Sequence, residues 1–174
     1  LTSQSVKFVL QFGSIMILAR LLAPEDFGLV AMVSVFISFL SMFKDFGLSQ
    51  AVIQSKELKR SEVSSLFWIN VGICLCISLS MLVIAPLIAK FYGRDELVYV
   101  TMLLGGGIAL QSVGLQHRAL LIRTMQFVKV EAVEVLAMLG ALAVAIFLAI
   151  DGYSYWALVW QAVSQALILS MGYI

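Results

Sequence analysis

Six apolar stretches, each close to the length that crosses a bilayer, are separated only by short charged or turn-forming breaks and fill almost all of the 174 residues. A hydrocarbon core about 30 Å thick takes about 20 helical residues to cross, and without water every backbone amide must be satisfied within its own helix. The pattern predicts an all-α fold, a polytopic transmembrane helix bundle of about six helices. A single transmembrane domain then takes up residues 1–174. Spans are expected over about residues 5–22, 27–43, 63–88, 97–116, 130–150 and 155–174. With 62% hydrophobic and 12% charged residues and a mean hydropathy of +1.05, the chain needs lipid as its solvent.

Several function classes drop out on the same grounds. The formal net charge is +1 and is scattered between the spans, so the concentrated basic face that nucleic acid demands is missing. Cys74 and Cys76 sit two apart within an apolar run, which points them to nearly opposite sides of a helix and argues against a disulfide or a metal site. His117 has no second histidine, cysteine pair or acidic partner at ligand spacing, so no metal is expected. No nucleophile elbow, phosphate loop or zinc motif occurs, and neither an enzyme nor a cofactor is expected. The chain opens on Leu1 rather than Met and its last run stops at Ile174 without a polar tail. This reads as a fragment of a longer protein, with no cleavable signal in the first run.

The breaks between spans carry their own chemistry. Ala23-Pro24 ends the first span, because the residue before proline is pushed out of the helical region; Pro24 then opens the second helix, where Glu25 and Asp26 complement the dipole. The segment from Leu48 to Arg60 is expected at the membrane surface, as is a helical extension between His117 and Val130. Pro86 is expected to kink or stop the third span, and Gly105 to Gly107 with Gly114 to permit close helix packing in the fourth. Tyr155, Trp156 and Trp160 suit a headgroup boundary. Seven Lys and Arg residues fall on the side of the second and fourth loops, against Arg20, Lys90 and Arg94 on the other. By the positive-inside rule the amino terminus faces the cytoplasm.

Polar residues inside spans point to neighbours or to a hydrated cavity. Gln4, Lys7, Gln11 and Ser14 are spaced three, four and three apart, which places them on one helical face. Two readings stand side by side: a hydrophilic wall on which Lys7 meets an anionic substrate, or a lysine near a helix end that snorkels to the headgroups. Gln161 and Gln165 are four apart in the sixth span and either line the cavity or bond between helices. Glu131 and Glu134 share a face, where a carboxylate pairs with a base, carries a coupling proton, or merely answers the helix dipole. The rows Asn70, Cys74, Ser78 and Ser34, Ser38, Ser41 read as helix-packing seams.

The loops carry a resemblance. The hairpin from Leu18 to Met32, with Arg20, Pro24, Asp26 and Gly28, strongly resembles the first hairpin of bacterial polysaccharide flippases of the O-antigen and colanic-acid exporter type. Asp45-Phe46-Gly47-Leu48-Ser49 resembles the second-loop segment of that family. Phe67-Trp68-Ile69-Asn70, Ala85-Pro86-Leu87-Ile88-Ala89 and Gly152-Tyr153 with Trp156-Ala157-Leu158-Val159 follow in its order and spacing. The resemblance implies the amino-terminal lobe of a two-lobe exporter of 12 to 14 helices within the multidrug, oligosaccharidyl-lipid and polysaccharide exporter superfamily. It implies a multi-pass protein of the bacterial cytoplasmic (inner) membrane that moves undecaprenyl-diphosphate-linked oligosaccharide outward by alternating access, for capsule, exopolysaccharide or O-antigen. The implied partners are that lipid-linked oligosaccharide, membrane lipids, a carboxy-terminal lobe, and the polymerase and glycosyltransferases of polysaccharide assembly.

On this reading Lys7 meets the diphosphate, Arg118 and Arg123 lie near the cytoplasmic mouth, and Gln4, Gln11, Ser14, Gln161 and Gln165 line the cavity. The alternatives are an ion-coupled multidrug exporter of the same superfamily, which calls for acidic cavity residues, and a non-transporting scaffold of a polysaccharide assembly complex. Topology is testable directly. Cysteines introduced as Lys56→Cys and Arg123→Cys are expected to react with a membrane-impermeant thiol reagent from the same side of the membrane, and reaction from opposite sides contradicts the six-span threading.

Overall fold

In the computed structural model, which describes residues 2–44 and 60–173, the chain forms six helices among the described residues. They are α1 (Thr2–Leu21), α2 (Pro24–Lys44), α3 (Arg60–Tyr92), α4 (Glu96–Arg123), α5 (Phe127–Ile150) and α6 (Tyr155–Tyr173). The expected segment from Leu48 to Lys59, together with Asp45 and Gly47 of the second-loop motif, lies outside the described residues. Two helical stretches, Trp68–Tyr92 and Phe127–Ile150, are each long and apolar enough to cross a bilayer by length and composition. The outer face is apolar as well: Val83 and Phe91 are 72% and 79% exposed, and Phe8, Val9, Leu87, Leu136 and Phe147 are also open. Water would penalise such a surface and lipid does not. The fold is an all-α membrane helix bundle.

Short turns fix the neighbours. The α3–α4 and α5–α6 hairpins are the most extensive pairings; α4 lies along α6, α1 packs on α5, and α2 rests against α3, α4 and α6. Two apolar clusters gather toward the end where the α1–α2, α3–α4 and α5–α6 turns lie. Leu29, Val33, Ile88, Ala89, Leu97, Val100, Leu104 and Val159 form one cluster from α2, α3, α4 and α6. Leu18, Leu22, Ala145, Ala149 and Ala157 form a second from α1, α5 and α6. On α5 the buried positions Ala137, Ala141, Ala145 and Ala149 recur every four residues, a row of small side chains that lets neighbouring backbones approach.

The α1–α2 turn shows why its sequence is punctuated as it is. Ala23 is the N-cap of α2, and the Asp26 carboxylate three residues on accepts the Ala23 N–H at 3.1 Å, while the Asp26 N–H donates to the Ala23 carbonyl at 3.0 Å. This is the acidic half of a capping box, with Pro24 at a position that needs no amide proton. The other three described turns share one geometry. Arg94, Gln126 and Tyr153 donate their N–H groups back across the helix end to Ala89, Leu121 and Leu148 at 3.0, 2.9 and 3.0 Å. The residue before each donor has positive φ, namely Gly93 (67°), Met125 (58°) and Gly152 (82°). Two glycines adopt this without strain; Met125 does so against the cost of its Cβ.

The helices depart from the sequence expectation in two places. Pro86 does not stop α3, which continues to Tyr92; its ring is exposed while Ala85, Ile88 and Ala89 are buried and hold the last turns in place. The helical extension expected beyond Gln116 is continuous with α4, which runs to Arg123, so His117 and Arg118 belong to α4. Ser34 and Ser38 are exposed rather than forming a seam, with Ser34 hydrogen-bonded back to the Ala31 carbonyl. The Asn70, Cys74 and Ser78 row is buried as expected, and the Asn70 amide donates to the Ser112 carbonyl of α4 at 3.5 Å. Of the glycines in α4, Gly105 and Gly114 mark close approaches: a Cβ at Gly105 would lie 2.7 Å from Met81 Cβ on α3, and one at Gly114 3.0 Å from Ser170 Cα on α6.

These two features predict substitutions of opposite sign. Gly105→Leu is expected to destabilise the protein by about 1–3 kcal/mol through overpacking, and Met125→Gly to stabilise it by about 0.5–1 kcal/mol by relieving the left-handed residue. Thermal unfolding in detergent checks both, and a reversed order contradicts the packing described.

Candidate functional site

Away from the apolar core, α1, α5 and α6 part to leave a cleft of about 480 Å³. Its polar lining comes from Lys7, Gln11 and Ser14 of α1 and from Gln161 and Gln165 of α6, and its apolar lining includes Leu18, Phe27, Met138, Leu142 and Leu158. The three-and-four spacing on α1 therefore forms a single wall, and the pair four apart on α6 forms the facing one. Gln161 does both things expected of it: it lines the cleft, and its amide donates to Ser14 Oγ at 2.9 Å, tying α6 to α1. A second cleft of about 250 Å³ adjoins the first through Met138 and Gln165 and is lined by Gln111, Gly114, Arg118, Glu134, Ser170 and Tyr173.

An ion-pair cluster stands where the two meet. The Lys7 ammonium lies against Glu131 at 2.5 Å and also pairs with Glu134. Arg118 Nε donates to Glu134 Oε1 at 3.0 Å, and the Tyr173 hydroxyl donates to the same oxygen at 3.1 Å. Both oxygens of Glu134 are thus engaged, by donors from α1, α4 and α6. The side chains of Lys7 and Glu134 are each 21% exposed, so the pairing forms where water screens poorly and an isolated charge is costly. The charges meet because in an up-and-down bundle the start of α1, the end of α4, the start of α5 and the end of α6 fall at one end.

Of the expected cavity residues, Lys7, Gln11, Ser14, Gln161 and Gln165 share the larger cleft, and Arg118 lines the smaller. Gln4 is exposed and lines neither. Arg123 ends α4, and its side chain lies outside those described. In the signature hairpin Arg20 is exposed, and Pro24, Asp26 and Gly28 form the first turn of α2 and not the cleft. Tyr173 is missed by the sequence reading. Glu131 and Glu134, one of whose sequence readings is pairing with a base, arrive from α5 and pair with Lys7. The signal was present, since both carboxylates start a span whose opening lies at the same end as the start of α1. Among the described residues no group of His, Cys, Asp and Glu is arranged to hold a metal ion, and neither Cys74 nor Cys76 forms a disulfide.

The chain is thus a membrane helix bundle with a polar cleft among α1, α5 and α6 and paired charges beside it. The chain matches the family described as polysaccharide biosynthesis protein over residues 17–174, and it belongs to that family. Among curated proteins it is similar to the succinoglycan biosynthesis transport protein ExoT of Rhizobium meliloti (strain 1021), 32% identical over 170 residues, which is 98% of this chain and 34% of that protein. It is also similar to the lipopolysaccharide biosynthesis protein WzxC of Escherichia coli (strain K12), 28% identical over 124 residues, 71% of this chain and 25% of that protein. The teichuronic acid biosynthesis protein TuaB of Bacillus subtilis (strain 168) is 27% identical over 113 residues, 63% of this chain and 23% of that protein. The chain thus spans about a third of ExoT and about a quarter of the other two. No solved structure matches it.

The cluster predicts its own energetics. Lys7→Met strands Glu131, takes one of three partners from Glu134, and is expected to cost about 2–4 kcal/mol of stability; adding Glu131→Gln to that variant should recover part of the loss. A double-mutant cycle read by thermal unfolding checks this, and a coupling energy near zero contradicts the pair.

Proposed function

We propose that the full-length protein is an exporter that flips undecaprenyl-diphosphate-linked oligosaccharide from the cytoplasmic to the periplasmic leaflet of the bacterial inner membrane, for capsule, exopolysaccharide or O-antigen synthesis. The observation that carries this reading is the combination of family membership over residues 17–174 with a hydrated-type cleft whose polar walls contain one cation and three side-chain amides. A sugar headgroup offers many hydroxyls and no apolar face large enough to cross lipid alone. Gln11, Gln161 and Gln165 supply donors and acceptors for hydroxyls, and Lys7 supplies charge for the diphosphate. The polyprenyl tail stays in lipid beside the apolar outer face.

Transport by this route is alternating access: this bundle rocks against a carboxy-terminal lobe so that the cleft faces one side and then the other. The amino terminus is cytoplasmic, which puts the Lys7 cluster at the end where the cargo enters. The role is transport, not catalysis. The names of the relatives support a place among polysaccharide transport and biosynthesis proteins, and their polymerases and glycosyltransferases are the natural neighbours of such a step.

The ion-coupled multidrug exporter draws support from Glu131 and Glu134, the acidic residues that reading calls for. Both carboxylates are spoken for by Lys7, and Glu134 by Arg118 as well, so the cluster has no negative charge left over for an organic cation. The match to the polysaccharide biosynthesis family favours the anionic cargo.

Complementation of a polysaccharide-export mutant with the full-length protein tests the proposal. Lys7→Glu, which reverses the charge on the cleft wall, and Ala162→Trp, which fills the cleft, are each expected to reduce surface polymer at least about tenfold at equal protein level. Undiminished export in both contradicts transport through this cleft and favours the scaffold reading.

A further inference from the structure

The cations that would meet a diphosphate are already occupied. Lys7 lies between Glu131 and Glu134, and Arg118 holds the second oxygen of Glu134. Two positive and two negative groups leave the cluster neutral, so it attracts no anion by net charge. An incoming anion that pairs with Lys7 and Arg118 competes with the carboxylates that already hold them. Glu134 is the central group, because its two oxygens connect a cation on the wall of the larger cleft with one on the wall of the smaller.

Resting on the cargo reading above, we infer that Glu131 and Glu134 are specificity-determining residues that act as built-in competitors for Lys7 and Arg118, so that a diphosphate headgroup displaces them and a single phosphate does not. Two carboxylates set the threshold: an anion must replace the acceptor oxygens that Lys7 and Arg118 already have, and a diphosphate offers more of them, over a longer reach, than a monophosphate. Displacement has a mechanical consequence too. Lys7 ties α1 to α5, while Arg118 and Tyr173 tie α4 and α6 to the same residue of α5. The competitor that leaves Glu134 without its partners therefore loosens four helix ends at once, which links recognition of the correct headgroup to helix movement.

The test compares geranyl diphosphate with geranyl monophosphate, which share a tail and differ by one phosphate, as ligands of the full-length protein in lipid nanodiscs by isothermal titration. The wild type is expected to bind the diphosphate about tenfold or more tightly than the monophosphate. Glu134→Gln keeps the shape and removes the charge; it is expected to tighten both ligands, the monophosphate more, and to shrink the preference to about twofold. Glu131→Gln, whose parent side chain is bound to Lys7 and lies nearer the surface, should shift both in the same direction by less, and it carries the test if Glu134→Gln does not fold. A merely structural role for these carboxylates predicts weaker binding in the variants. Unchanged or weakened binding in the variants, or a wild type without preference, overturns the inference while leaving the cargo reading in place; a wild type that binds neither ligand overturns both.

Discussion

A charge brought into a lipid-embedded bundle must find a counter-charge there, and the arrangement of this protein follows from that constraint. Lys7 enters near the start of α1, in a helix whose other surfaces are apolar. It cannot be left facing hydrocarbon, so it turns inward to Glu131 and Glu134 of α5. Glu134 in turn collects Arg118 and Tyr173. One carboxylate thereby fastens α1, α4 and α6 to α5. Neither reading of Lys7 from sequence alone was complete: it stands on the cleft wall, and it is tethered there instead of reaching for headgroups.

The opposite half of the bundle is held by other means. Leucine, valine, isoleucine and alanine dominate the packing there, with Thr101 buried among them, and small residues on α4 and α5 bring the helices close. Lipid supplies no hydrophobic drive between helices, so this packing rests on dispersion and shape. The result is a division of labour along the bundle: a tightly packed apolar half, and a half where α1, α5 and α6 separate around glutamines, a serine and paired charges.

Much of this was legible before any coordinates. The apolar runs fix six helices, the Pro24 and Gly152 breaks fix the turns, and the spacing of Lys7, Gln11 and Ser14 puts three residues of the cleft on one face. Gln161 and Gln165 were legible for the same reason. What was not legible is who faces whom. Lys7 and Glu134 are 127 positions apart, and helical periodicity gives each helix a polar face without naming its partner. Gln4 shares the face of Lys7 but lies one turn nearer the helix end, beyond the cleft. Pro86 does not stop α3, because the buried Ala85, Ile88 and Ala89 hold the helix together around it. Met125 gave no signal, since a methionine in the left-handed region has no sequence signature.

The account depends on the polar side chains of α1 and α6 sharing an aqueous interior while the surfaces of α3 and α5 meet lipid. Spin labels at Gln11 and Gln165, compared with labels at Val83 and Leu136, measure this directly through collision with a water-soluble nickel chelate and with lipid-soluble oxygen. The account predicts chelate-dominated relaxation at the first two positions and oxygen-dominated relaxation at the second two. Oxygen-dominated relaxation at Gln11 and Gln165 would contradict it.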